Sequence, residues 1–180
     1  MDRSPEVPPA DPALQVDDAF AGAYRELRRL AHARLRDGGR GALLDTTALV
    51  HETYLKISRN AGLTFPDRAS FFVYAGRAMR SIIVDMVRQR LSERHGGGAE
   101  HLTITGDLLD AVPAGEQHIL RVHEALQELA RVDTRMTQVV EMRYFAGMTD
   151  LEIAAALGVT DRTVRRDWEA ARLLLAEALK

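Results

Sequence analysis

Apolar residues recur at intervals of three and four along most of the chain, the period of a helix packed on one side. Over residues 16–37 the apolar side is Phe20, Tyr24, Leu27, Leu30 and Ala31, and Gly38, Gly39 and Gly41 break the pattern. A second helix is predicted over 46–60, capped by Asp45. After a loop with Gly62 and Pro66, a long helical pattern runs over 67–94 on a stripe of Phe71, Ala75, Ala78, Ile82 and Met86. Gly96, Gly97 and Gly98 end it. The period resumes near Gln117 with Ile119, Val122, Leu126 and Leu129, and Asp133 caps a further helix carrying Met136, Val139 and Val140. No useful run alternates with the period of a strand, and no internal repeat is present. The pattern predicts an all-α chain of two small helical domains, 16–95 and 118–180, joined by a flexible linker over 96–117. Residues 1–15, with Pro5, Pro8, Pro9 and Pro12, read as a disordered tail.

The most specific motif lies in residues 149–179. Thr149 and Glu152 have the spacing of a capping box. Gly158 follows the last apolar residue of that helix, where the backbone must turn left-handed, and Thr160 caps a second helix two residues on. Ala154 is small enough for two helices to cross closely, and Val164 supplies the apolar contact beyond the corner. This is the spacing of a helix-turn-helix, whose second helix can enter a major groove. Val164, Trp168, Ala171 and Leu175 make its buried stripe. Arg162, Arg165, Arg166, Glu169 and Arg172 are left on the other face, and its arginines suit phosphates and guanine edges. A solvated charged face would show the same composition; the corner and caps favour DNA.

Charge changes the picture through its distribution. The 180 residues are 46% hydrophobic and 28% charged, enough to build real cores, and the formal net charge is −2. That sum is unusual for a protein that binds DNA alone. Residues 77–94 nevertheless carry five arginines (77, 80, 88, 90, 94) against Asp85 and Glu93. Residues 96–116 carry Glu100, Asp107, Asp110 and Glu116 with no Lys or Arg. Basic modules around an acidic connector suggest DNA met in a controlled setting. The absence of cysteine excludes disulfides and thiolate metal sites and fits a reducing cytoplasm. No apolar run reaches the length of a membrane span.

On the second helix Val50, Tyr54 and Ile57 form a core stripe. Leu49 and Leu55 flank Glu52 and Lys56, an i, i+4 pair expected to bond. Such a face docks a partner, or is covered by a neighbouring helix of the same domain. His51 begins HETYL, but the second histidine of the zinc pattern is replaced by Leu55, and the other histidines share no ligand spacing, so no metal or cofactor is expected. On the long helix Tyr74, Arg77, Ser81 and Arg88, with Arg80 beside them, lie opposite the core stripe. An aromatic among arginines suits single-stranded nucleic acid, as does a loop offering Phe65, Asp67 and Arg68. A plain solvated basic face is the alternative.

Taken in order, three segments resemble bacterial sigma factors of the extracytoplasmic-function (ECF) branch. TTALVHETYLKI is similar to the helix of sigma domain two that grips the clamp coiled coil of RNA polymerase. RASFFVYAGRAMRSIIVDMVRQR resembles the segment that melts and reads the −10 element. QVVEMRYFAGMTDLEIAAALGVTDRTVRRDWEAARLLL resembles sigma domain four, which reads the −35 element. The resemblance implies a polymerase contact at Leu49, His51, Glu52, Leu55 and Lys56. It implies −10 contacts at Phe65, Asp67, Arg68, Tyr74, Arg77, Arg80 and Arg88, with loop 62–70 holding a flipped base. It implies −35 contacts at Arg162, Thr163, Arg165, Arg166 and Arg172, and partners in core RNA polymerase (clamp coiled coil and flap) and promoter DNA. The acidic connector would thread along polymerase channels. An anti-sigma protein or a kinase is a further partner to test for. Gly76 departs from the family's pattern, at up to about 1 kcal/mol of helix propensity, and predicts a bend. RHGGG after Glu93 is less basic than is usual there, and Phe65 stands where tryptophan is common.

The expected function is therefore a promoter-specificity subunit with no catalysis of its own. Two other classes compete. A dimeric helix-turn-helix repressor or activator with a sensor domain would bind a palindromic duplex without polymerase. A hydrolase built on HETYL or on the glycines near position 40 lacks the second histidine and any Lys-Ser/Thr phosphate step.

Overall fold

The computed structural model describes residues 13–37, 45–94 and 114–179. Seven α-helices account for most of them, and the fold is all-α. Helix α1 is Val16–Asp37, α2 Thr46–Ser58 and α3 Arg68–Arg94. Helix α4 is Ala114–Val132 and α5 Thr134–Val140, followed by a π-helical turn, Glu141–Phe145. Helices α6, Asp150–Leu157, and α7, Asp161–Ala178, complete the chain. Two short strands, β1 Leu14–Gln15 and β2 Thr64–Phe65, pair antiparallel, Leu14 opposite Phe65. Leu14 and Gln15 thus leave the expected tail, because pairing satisfies their backbone groups beside the Phe65 core. The glycines near position 40 and most of the acidic connector lie outside the described residues. Its last carboxylate, Glu116, lies within α4, buried and 3.7 Å from Arg90.

Asp45 caps α2 as expected, its carboxylate accepting from the amides of Thr47 at 2.7 Å and Ala48 at 2.9 Å. Around α1–α3 the core gathers Phe20, Ala23, Leu27, Leu49, Ile57, Phe65, Phe71, Met79 and Ile82. Each fully buried leucine or phenylalanine contributes about 1.5–3 kcal/mol. Tyr24, predicted to be core, is exposed; Ala23 takes the buried place beside it, and the tyrosine points outward.

Helix α3 is the hub. Beyond its predicted stripe it buries Met79, Ile83, Val84, Val87 and Leu91, so it is apolar on nearly every side. Val84, Val87 and Leu91 pack on Leu120 of α4. Ala69, Phe72 and Val73 pack on a second core containing Val139, Met142, Met148, Ile153 and Val164. Helix α3 runs without interruption through Gly76. A Cβ at Gly76 would lie 2.8 Å from the carbonyl carbon and oxygen of Phe145, so glycine is required by the close approach of another backbone.

Candidate nucleic-acid interface

The C-terminal helix pair is built by its caps. Thr149 Oγ1 accepts from the Glu152 amide at 3.4 Å, and the Glu152 carboxylate accepts from the Thr149 amide at 2.8 Å. The Thr149 amide foremost, and then the Thr149 hydroxyl donating to the same carboxylate at 2.7 Å, hold Glu152 below the usual carboxylate range. Gly158 closes α6 at φ 65° and ψ 33°. Thr160 then caps α7, accepting from the Thr163 amide at 3.3 Å. Ile153, Val164 and Ala171 are fully buried and Trp168 partly so, which fixes the roll of α7 about its axis.

That roll leaves Arg162, Arg165, Arg166 and Arg172 exposed, with Thr163 half-buried beside them. The four arginines are not equivalent. Arg162 and Arg172 have no acidic partner among the described residues. Arg165 pairs with Asp161 and lies 3.6 Å from Asp150. Arg166 donates to Asp167 at 3.1 Å. Asp167 is 1% exposed and also accepts from Arg135 Nε at 2.7 Å. Burial alone would raise its pKa, but the bonds from Arg135 and Arg166 outweigh burial and lower it. Arg143 pairs with Asp150 at 2.6 Å and lies over the Trp168 ring at 4.8 Å. Sequence reasoning missed this network of Asp167, Arg135, Arg143 and Asp150. Its signal was Asp167 itself, an acid between Val164 and Ala171 on an apolar stripe, which demands a cationic partner.

On α2, His51, Glu52 and Leu55 are exposed, Leu55 by 39%. Leu49 is fully buried, so it belongs to the core and faces no partner. Lys56 does not pair with Glu52. Its Nζ reaches across to α3, donating to Ser81 Oγ at 2.8 Å and Asp85 Oδ2 at 3.3 Å.

The loop before α3 departs from expectation at Phe65, which is 3% exposed and stacks edge-on with Phe71 and Tyr74. It walls the core and is not open to a base. Asp67 is an exposed cap, accepting from the Ser70 amide at 2.7 Å. Arg68 is 3.2 Å from Glu26 and lies 5.2 Å over the Phe72 ring. Tyr74 is half-buried, its hydroxyl accepting from Asn60 at 3.0 Å, and Arg88 is exposed. Arg77 and Arg80 both pair with Glu141 of the π turn. Among the described residues no group of three or more His, Asp or Glu is placed to hold a metal ion, and His51 stands exposed on α2.

A family model described as ECF sigma factor matches residues 12–180. The chain belongs to the ECF sigma factor family. No curated protein and no solved structure matches it. As a sigma factor it directs transcription, a role in which RNA polymerase and promoter DNA are partners. No helix among the described residues is long and apolar enough to cross a membrane.

Proposed function

We propose that this sigma factor is a promoter-specificity subunit that binds core RNA polymerase and sets the start site, with no catalysis of its own. The observation that carries the reading is α7: a helix-turn-helix corner locked by Gly158, presenting on its exposed face Arg162 and Arg172, which have no acidic partner among the described residues. In this reading residues 16–95 are sigma domain two and α4–α7 form sigma domain four, with the acidic connector between them. His51, Glu52 and Leu55 meet the clamp coiled coil, and Lys56 braces α2 on α3. Asp67, Arg68, Tyr74, Arg77, Arg80 and Arg88 serve the −10 strand. Arg162, Thr163, Arg165, Arg166 and Arg172 serve the −35 duplex.

Phosphate contacts would position α7 and base contacts would specify the site. Arg165 and Arg166, held by carboxylates, are oriented for directed contacts, whereas Arg162 and Arg172 are free to follow the backbone. The family match over nearly the whole chain favours this reading over a dimeric repressor, because it covers α1–α3 as well as the helix-turn-helix. The test is gel filtration of the purified chain with core polymerase. Co-elution is expected. Failure to co-elute, with tight binding of a palindromic duplex by the chain alone, would replace it with the repressor.

A further inference from the structure

Helix α1 carries a basic face that neither the core nor the function above uses. Tyr24, Arg25, Arg28, Arg29 and His32 are all exposed. At about 100° per residue they fall within an arc of roughly 140°, turned away from the buried Ala23 and Leu27. Over residues 19–32 the sole acid is Glu26, on the flank towards α3, where it lies 3.2 Å from Arg68. Its hold on Arg29 is looser, at 3.7 Å, with the Arg29 side chain 78% exposed. Arg25 and Arg28 have no acidic partner among the described residues. The face borders a cleft of about 400 Å³ between α1 and the start of α2, lined by Tyr24, the three arginines, His32 and Thr46. That volume lies in the range of small-ligand sites. Tyr24, which periodicity placed in the core, is thus turned onto a charged cleft, 45% exposed.

We infer that this cleft binds a purine nucleoside polyphosphate. Guanidiniums match phosphate oxygens bidentately, and among the described residues no carboxylate lines the cleft to neutralise them. Arg25, Arg28 and His32 recur at i, i+3 and i+7, which spreads their donors over about 10 Å of helix, enough for a chain of two or three phosphates. The Tyr24 ring offers a face for stacking, and a purine, the larger base, covers more of it. Across the cleft the Thr46 hydroxyl can donate to a ribose or phosphate oxygen. Asp45, next to it in sequence, is turned onto the amides of Thr47 and Ala48 as the cap of α2. Phosphate alone would be served by the arginines; the aromatic ring and the concavity add a place for the base. Thr46 opens α2, so an occupant links α1 to the helix assigned to polymerase. The inference does not rest on that assignment.

The full chain is titrated calorimetrically with GTP, ATP, inorganic triphosphate and a short single strand of random sequence. One-site binding of at least one nucleotide is expected, roughly tenfold tighter than inorganic triphosphate because the base stacks. Arg25→Ala combined with Arg28→Ala is expected to weaken the nucleotide by roughly tenfold or more. Tyr24→Ala is expected to weaken the nucleotide roughly tenfold and to leave triphosphate unchanged. Arg162→Ala combined with Arg172→Ala removes as much positive charge from α7 and is expected to change neither. Every replaced side chain is exposed, so the fold is expected to hold in each variant. Absence of saturable binding by both nucleotides would overturn the site, as would parent-like affinity after loss of Arg25 and Arg28. Triphosphate bound as tightly as nucleotide, or equal losses from the two arginine pairs, would reduce the face to a general anion patch and overturn the inference. A strand that outbinds both nucleotides through Arg25 and Arg28 would assign the face to nucleic acid instead. Polymerase co-elution is independent of all these results.

Discussion

Gly158 stands at φ 65° with open space where a side chain would go, so the backbone conformation alone requires it. Gly158→Ala is expected to destabilise the α6–α7 pair by about 1–2 kcal/mol, the cost of a left-handed alanine. Chemical unfolding followed by the single tryptophan, Trp168, reads this; an unchanged midpoint would contradict it. Asp167 makes a different demand. Its carboxylate ties Arg135 and Arg166 to α7, so Asp167→Asn leaves both guanidiniums less ordered. Affinity for a −35 duplex is expected to fall several-fold, with little change in the salt dependence since no arginine is lost. Residue identities of this kind were partly legible. Gly158, Thr149, Glu152 and Thr160 announced themselves because caps are local. Asp167 and Glu141 did not, because a lone acid in an apolar run says that a cation is near but not which one.

At the scale of elements, α2 exposes His51, Glu52 and Leu55 in a strip that none of the described residues buries. Leu55→Asp is expected to weaken polymerase binding by about tenfold or more without loss of helix content, as for an apolar anchor at an interface centre. On α7, Arg162→Ala and Arg172→Ala are each expected to lower the salt slope of duplex binding by about 1, the signature of a phosphate contact. Equal slopes in parent and variants would remove those residues from the interface. Between α3 and α4 sits His123, whose Nδ1 is buried without a hydrogen-bond partner. Burial, then Arg80 and Arg88, hold it below its ordinary value of 6.5, with Asp85 opposing. The unfolded chain therefore takes up the proton more readily. Stability is greatest above that ordinary value and is lost as pH falls below it. Thermal unfolding from about pH 7.5 to about pH 5.5 should show the loss, and His123→Gln should flatten it. Helix positions were read well from periodicity: α1 spans the predicted residues, and α2 and α3 differ by at most two at either end. The π turn was not, since one extra residue per turn leaves no mark in a five-residue apolar pattern.

For the whole molecule, periodicity told which faces are apolar but not what covers them. Helix α3 is the instructive case: a stripe was read on one side, yet Val84, Val87 and Leu91 bury another against α4. Gly76 was read as a flaw in a helix and proves to be the seat of a neighbouring backbone. Long-range pairings such as Lys56 with Asp85 and Arg77 with Glu141 depend on tertiary placement that local spacing cannot encode. The functional class was legible because three motifs occur in one order, and the match over residues 12–180 bears it out. The account as a whole requires that α2 and α7 act together on one enzyme. The direct measurement is start-site mapping of transcripts made by core polymerase from a pool of genomic fragments, with and without the chain. New, discrete start sites that appear only with the chain, and vanish with Leu55→Asp, are the predicted result. A transcript profile identical with and without it would contradict the account.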